Sequence, residues 1–262
     1  VPGIDASGVI AAVGPGVTGR PVGMAVFAII GADEAGPNGA YAHYVIARAD
    51  STAPKPANIS YAQAAGLGVV GVTALGALDE AHVQAGQRVL ITGAAGGVGS
   101  TAAQMAVARG ATVLGTASPR HDAYLRGIGV SKVIDYTRGD IAGQAGKVDV
   151  VIDTVGRMEA IEALHALKTG GHFVSIARAP VTPAECAAAQ VQCSGSPGHA
   201  ADAPLALLLQ VGKLAGDGKL AIHVDRTYPL AQAAEAVQYV HQGHTEGKVV
   251  RVVSGPRGSR GR

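Results

Sequence analysis

With 262 residues, 48% of them hydrophobic and 15% charged, the chain has material for one large or two modest packed domains, which excludes disorder for most of its length. The formal charge of +2 is accounted for by Arg257, Arg260 and Arg262 at the very end, and with no Trp and 3% aromatics there is neither a basic face nor a stacking platform for nucleic acid. No secretory signal and no apolar run long enough to span a bilayer is present, so no membrane partner is expected and the predicted location is cytoplasmic.

In chain order, residues 1 to about 60 predict short strands separated by Gly, Pro and Asn: Val9–Val13, Met24–Phe27 and Ala40–Ile46. Ser60-Tyr-Ala-Gln63 has the spacing of a helix cap with a glutamine returning to it, and alanine-rich apolar sequence follows to about His82. From there strands and helices alternate. The predicted strands are Val89–Thr92, Thr112–Thr116, Lys132–Asp135, Val148–Asp153 and His172–Ile176, which is the pattern of an α/β doubly wound parallel sheet. Cys186 and Cys193 fall in a stretch rich in Pro, Ser and Gly, and are expected as free thiols in a reducing compartment, with a disulfide as the alternative. Ala203–Leu214 predicts a helix and Leu220–Val224 a strand. Leu230–His241 then predicts a helix, and Lys248–Val253 a strand returning to the first domain.

The most informative stretch is 88–110. Val89, Leu90 and Ile91 form a short apolar run suited to a strand covered on both faces, and from Val98 small and apolar residues recur at helical spacing. Between them lies Ala94-x-Gly96-x-x-Gly99, one residue short of the G-x-G-x-x-G turn that cradles a dinucleotide pyrophosphate. Gly96 has no Cβ to hold a phosphate away, Gly99 lets helix and strand pack closely, and the helix start offers N–H groups to the anion. After the next strand, Thr116-Ala-Ser-Pro-Arg120 lacks the acidic residue that would accept the adenosine ribose hydroxyls of NAD; Ser118 and Arg120, beside His121, favour a 2′-phosphate and hence NADPH.

Six motifs in order resemble one family: Gly3-Ile-Asp-Ala-Ser-Gly8, Gly39-Ala-Tyr-Ala-His-Tyr44, Ala94-Ala-Gly-Gly-Val-Gly99, Val133-Ile-Asp-Tyr136, Asp153-Thr-Val-Gly156 and Glu246-Gly-Lys-Val-Val250. They are similar to the quinone oxidoreductase branch of the medium-chain dehydrogenase/reductases. The resemblance implies a Rossmann domain over 63–224, with a GroES-like β-rich catalytic domain built from 1–62 and 225–254 and a disordered tail at 255–262. It also implies a homodimer through the sheet edge, for which Leu220–Val224 is the expected strand. Carried over position by position, Ala95, Gly96, Gly97, Val98 and Gly99 would meet the pyrophosphate, and Ser118, Arg120 and Tyr136 the adenosine end. Thr73, Val155, Ser175, Ile176 and Ala177 would line the nicotinamide, and Lys248 would close over the cofactor.

Zinc-dependent relatives carry Gly-His-Glu where this chain has Gly3-Ile4-Asp5, and isoleucine is no metal ligand, so no metal is expected. The implied reaction is metal-free hydride transfer from NADPH to a quinone or an α,β-unsaturated carbonyl, with Arg178 and Tyr41 as candidate groups at the acceptor oxygen. Arg178 stands at a place where polyketide enoyl reductases are similar but carry a lysine. A tailoring enoyl reductase or isomerase is one alternative function, and a non-catalytic NADPH-binding scaffold is another. Two departures bear on this choice. The chain opens at Val1-Pro2 directly before the first motif, where family members have further strands, so part of the pocket wall is expected to be lacking in a processed, incomplete or naturally short chain. Val22-Gly-Met-Ala-Val26 replaces the family's usual Gly-Asp-Arg-Val.

Overall fold

A computed structural model of the chain describes residues 2–30, 39–177, 181–195, 205–243 and 245–253. The chain divides into two compact units, Val1–Val69 with His199–Arg262 and Val70–Gly198.

The first unit opens on β1 (Asp5–Val9), antiparallel to β2 (Ala25–Ile29), with β3 (Thr52–Pro54) on the other side of β2. The strand therefore forms from the Gly3–Gly8 motif itself, four residues before the predicted Val9–Val13. Pairing decides this: the ladder closes where Gly23 N–H donates to Ile10 O (2.9 Å), and the chain then turns away through Gly14-Pro15-Gly16. The predicted strand Ala40–Ile46 does not form. Alternation supplies a pleat but not a neighbour, and among the described residues of this stretch only the Ala40 and Tyr41 N–H groups bond to backbone, at Gly3 and Pro2, while Tyr44 and Ile46 run out into solvent. Next comes α1 (Tyr61–Ala65), started by the expected capping box in which Ser60 Oγ accepts from Gln63 N–H and Gln63 Oε1 from Ser60 N–H, and then α2 (Gly68–Glu80), which from Val70 on belongs to the second unit.

The second unit carries a parallel sheet, six-stranded among the described residues, in the order β6-β5-β4-β7-β8-β9. Its elements are β4 (Arg88–Ile91), α3 (Gly97–Ala108), β5 (Thr112–Thr116), α4 (Asp122–Gly127), β6 (Lys132–Ile134), α5 (Ile141–Ala145), β7 (Val148–Asp153), α6 (Arg157–Leu164), β8 (Leu167–Ser175), α7 (Pro183–Ala189) and β9 (Gln192–Gly195). This is the doubly wound arrangement predicted. The central strands are apolar because helices cover both faces; Leu90, Leu114, Ile134, Val148, Val151 and Phe173 belong to one buried cluster. Strand β9 was not predicted, since Gln-Cys-Ser-Gly carries no strand signal of its own; it is held by register with β8, from His172 opposite Gln192 to Ser175 opposite Gly195. The free-thiol expectation is also overturned. Helix α7 and β9 bring the Cα atoms of Cys186 and Cys193 to 6.2 Å, within the span a disulfide bridges, and the two are bonded.

The chain then returns to the first unit. Helix α8 (Leu205–Gly216) packs on β3 and on Phe27, whose ring lies close enough that a Cβ at Gly212 would meet it at 3.3 Å, and Asn58 Nδ2 donates to Ala215 O (3.1 Å). Strand β10 (Val224–Pro229) pairs parallel with β11 (Lys248–Val252), joined by a 3-10 turn and α9 (Ala233–His241). The expected edge strand Leu220–Val224 is a correction. Leu220 and Ile222 are buried in the first unit, regular strand starts only at Val224, and the outer strands of the six-stranded sheet are β6 and β9.

Candidate active site: a glycine turn and a buried carboxylate

The β4–α3 turn has the shape of a phosphate cradle. Gly93 sits at φ +60°, where a Cβ would meet Thr154 Oγ1 at 2.7 Å and Val155 Cγ2 at 2.8 Å. Gly99 is packed harder still: a Cβ there would lie 2.8 Å from Ala94 Cα and 2.9 Å from Gly93 C, and closer to the Gly93 carbonyl oxygen. So the helix rides directly on the turn, as the sequence predicted for Gly99, but the strained first position of the turn is Gly93, one residue before the Ala94 at which the fingerprint was placed. Helix α3 runs from Gly97 with Gly96 as its N-cap and no side-chain cap, so no capping side chain takes up the first-turn N–H groups. A second close approach supports the turn. Gly115 on β5 leaves room for Ala94, whose Cβ would stand 2.5 Å from an added Cβ. Beneath it Thr116 Oγ1 accepts from Gly93 N–H (2.9 Å) and donates to Glu159 Oε2 (3.2 Å), and burial pushes the Glu159 carboxyl above its ordinary pKa.

At the end of β5, Ser118 Oγ is buried with no hydrogen-bond partner among the described residues. Arg120 is exposed, and its Nε donates to Nε2 of the buried His121 (3.1 Å). Tyr136 is half-buried against the core of the sheet.

The C-terminal ends of β4, β7 and β8 meet at Asp153, which is fully buried. Its Oδ1 accepts from Thr92 Oγ1 (2.7 Å), Gly156 N–H (2.9 Å) and Val155 N–H (3.2 Å), and its Oδ2 from Ser175 Oγ (2.7 Å). Ser175 Oγ in turn accepts from Ala177 N–H (3.2 Å), and Ile176 N–H donates to Asp153 O (2.9 Å). Four residues expected at the nicotinamide, Val155, Ser175, Ile176 and Ala177, are thus brought together around one carboxylate. Val155 remains 39% exposed at the rim. Thr73 is half-buried on α2, and Arg178 lies outside the described residues.

In the first unit, Asp5 Oδ1 accepts from Val69 N–H (2.8 Å) at the start of α2, and Lys248 Nζ stands 3.6 Å from Asp5 Oδ2. Burial raises the Asp5 carboxyl pKa, against the opposing pull of Lys248 and the Val69 N–H. Lys248, expected to close over a cofactor, thus lies within ion-pair distance of Asp5. Tyr41 is clamped: its ring is what a Cβ on Gly3 would strike, at 2.5 Å, and the Arg251 guanidinium stacks on it with Cζ 3.7 Å from the ring centre. Asp5, Tyr41, His43, Arg20 and Lys248 line a cleft of about 1250 Å³. Among the described residues, no cluster of three or more His, Cys, Asp or Glu side chains has metal-binding geometry, and no helix is long and apolar enough to cross a membrane.

Family comparisons agree with this anatomy. Residues 1–57 match the alcohol dehydrogenase GroES-like domain and residues 128–250 the zinc-binding dehydrogenase family. The structure of a quinone oxidoreductase from Coxiella burnetii superposes with a TM-score of 0.85 at 34% identity, covering 96% of this chain and 79% of that one. The chain belongs to the medium-chain dehydrogenase/reductase family. Among curated members, an NADPH-dependent alkenal/one oxidoreductase of Arabidopsis thaliana chloroplasts is 33% identical over 95% of this chain and 63% of its own length. A pikromycin polyketide synthase component of Streptomyces venezuelae is 34% identical over 95% of this chain and 7% of that protein. The chain thus spans less than two thirds of the curated relatives it matches. As in other medium-chain dehydrogenase/reductases, a nicotinamide cofactor is implied, and a glycine turn that a Cβ would fill, with uncapped amides behind it, fits such a group.

Sequence reasoning missed Gly93, Gly115, Asp5 and Asp153 as site-forming residues. Gly93 and Asp153 carried a usable signal, since a polar or special-φ residue at the C-terminal end of a buried parallel strand faces the ligand end of a doubly wound sheet. Asp5 stands in the Gly3–Gly8 motif, but its role is not legible there, because its partners are 64 and 243 residues away along the chain.

Proposed function

We propose that this protein is an NADPH-dependent oxidoreductase that reduces quinones or α,β-unsaturated carbonyls without a metal. The observation that carries this reading is the Gly93–Gly99 turn, whose backbone is packed too tightly for any side chain at its first and last positions and whose helix start is left without a cap. When bound, NADPH supplies a hydride from its nicotinamide to an electron-poor carbon. The chain's own residues bind and orient: the α3 amides and helix dipole take the pyrophosphate charge, while Ser118 and Arg120 receive the 2′-phosphate. Val155 and Ser175–Ala177 receive the nicotinamide. Preference for NADPH over NADH is supported by the buried Ser118 hydroxyl, which has no partner among the described residues, beside Arg120, and by the name of the Arabidopsis relative. Tyr41 is the candidate group at the substrate end, its phenol held in place by Gly3 and Arg251.

Similarity to a polyketide synthase component along nearly the whole chain favours a second reading, reduction of an enoyl intermediate carried by a larger assembly. We place self-association at an outer strand of the six-stranded sheet, β6 or β9, because such strands present unpaired backbone; light scattering that finds one chain per particle would remove this part. NADPH oxidation with a panel of quinones, free enones and enoyl thioesters tests the reading as a whole. Turnover on at least one class is expected; tight NADPH binding without turnover on any acceptor would instead make the chain a binding scaffold.

A further inference from the structure

Asp153 makes no ion pair with a cation among the described residues, although it is entirely buried and accepts four hydrogen bonds from neutral donors. Burying a carboxylate in this way costs free energy that an apolar side chain tying the same three strands would not, so stability alone does not explain its presence. What a carboxylate provides, and an apolar group does not, is a fixed spacing between its donors. One oxygen sets the turn after β7 by holding Val155 N–H, Gly156 N–H and the Thr92 hydroxyl, while the other sets the end of β8 through Ser175. Thr92 closes the ring a second time: its Oγ1 accepts from Thr154 N–H (2.9 Å) and its carbonyl from Thr154 Oγ1 (2.7 Å). Val155 in turn rests on Gly93, so the same network reaches the phosphate turn.

We propose that Asp153 is the positioning residue of the nicotinamide site, holding Val155 and Ser175–Ala177 at the separation the ring requires; this rests on the nicotinamide reading given above. The alternative, a purely structural tie, makes a different prediction. Loss of a positioning residue removes the part of the affinity contributed by the nicotinamide and spares the part contributed by the adenosine and phosphates. Loss of a structural tie weakens both together.

Asp153→Asn keeps the size of the side chain but replaces one acceptor oxygen by a donor. Binding of NADPH and of 2′-phospho-ADP-ribose, which lacks the nicotinamide, is measured calorimetrically for wild type and variant, with kcat alongside. The expected result is affinity for 2′-phospho-ADP-ribose unchanged within about twofold, NADPH affinity lowered on the order of tenfold, and kcat lowered on the order of ten- to a hundredfold, as misplacement of a reacting group by up to about 1 Å does. Ser175→Ala, which removes the bond to Oδ2 and the one Ser175 Oγ accepts from Ala177 N–H but leaves the three bonds to Oδ1, is the milder second variant; the same pattern at smaller amplitude is expected if Asp153→Asn does not fold. Equal weakening of both nucleotides, or NADPH affinity and kcat at wild-type values, would overturn the assignment. A wild-type protein that binds neither nucleotide overturns the nicotinamide reading and this assignment with it.

Discussion

Replacing Gly99 by alanine adds a single methyl group at the tightest point of the molecule. The methyl would fall 2.8 Å from Ala94 Cα and 2.9 Å from Gly93 C, and nearer still to Gly93 O. All three are backbone atoms that cannot rotate aside, so helix and turn must separate. Overpacking of this kind costs about 1–3 kcal/mol, and the absence of a flexible neighbour places Gly99→Ala at the upper end. For a chain of this size about 3 kcal/mol lowers Tm by roughly 5–10 °C. The same displacement pulls the α3 amides away from the pyrophosphate, and losing even one hydrogen bond to a charged group weakens NADPH binding by at least about tenfold. Gly127→Ala is the control. It lies at the end of α4 with nothing within 4 Å of an added Cβ, and is expected to be neutral or to stabilise by up to about 1 kcal/mol. Thermal unfolding and NADPH titration of both variants provide the assay. Gly99→Ala with the Tm and NADPH affinity of the wild type would refute the packing argument and the cradle built on it.

Three further outcomes are expected. Arg120→Ala should weaken NADPH on the order of ten- to a hundredfold, the worth of a charge-assisted contact, while NADH affinity stays level; an equal effect on both would remove the 2′-phosphate assignment. Asp5 has its folded pKa raised above 3.8, so the folded chain keeps a proton that the unfolded chain has released, and the stability contributed by this group falls as pH rises from 3.8 through the folded value. Chemical denaturation should therefore show wild type losing stability relative to Asp5→Asn across that interval, and a difference independent of pH would contradict it. The Cys186–Cys193 bond closes a short loop with a sequence separation of 7, worth about 2.5 kcal/mol on the chain-entropy model. Denatured, unreduced protein should yield no titratable thiol, and reduction should lower Tm; two free thiols without reductant would show the pair open.

Much of the second unit was legible in the sequence because its signals are local. A buried parallel strand is an unbroken apolar run, as in Val89–Ile91 and Val150–Ile152, and a glycine turn announces itself wherever a side chain cannot fit. Strands whose existence depends on a distant neighbour were misplaced or missed. Val9–Val13 reads as well as Asp5–Val9 until β2 chooses between them, and Ala40–Ile46 alternates convincingly but finds no strand to pair with. Strand β9 is the converse case, polar in sequence and made a strand by β8 and a disulfide. The site divides in the same way. Its glycines were readable one turn at a time, whereas Asp153 acquires its meaning only when Thr92 and Ser175, 61 and 22 residues away, arrive at the same carboxylate.

The most direct test of the central claim is isotopic. NADPH carrying deuterium at the transferring C4 position is supplied to the protein with a quinone or enone acceptor, and the reduced product is analysed by mass spectrometry and NMR. For an enone, deuterium on the β-carbon is the expected result. An NADPH-saturated protein that leaves every acceptor unreduced, or a reduced β-carbon bearing only solvent hydrogen, would contradict it.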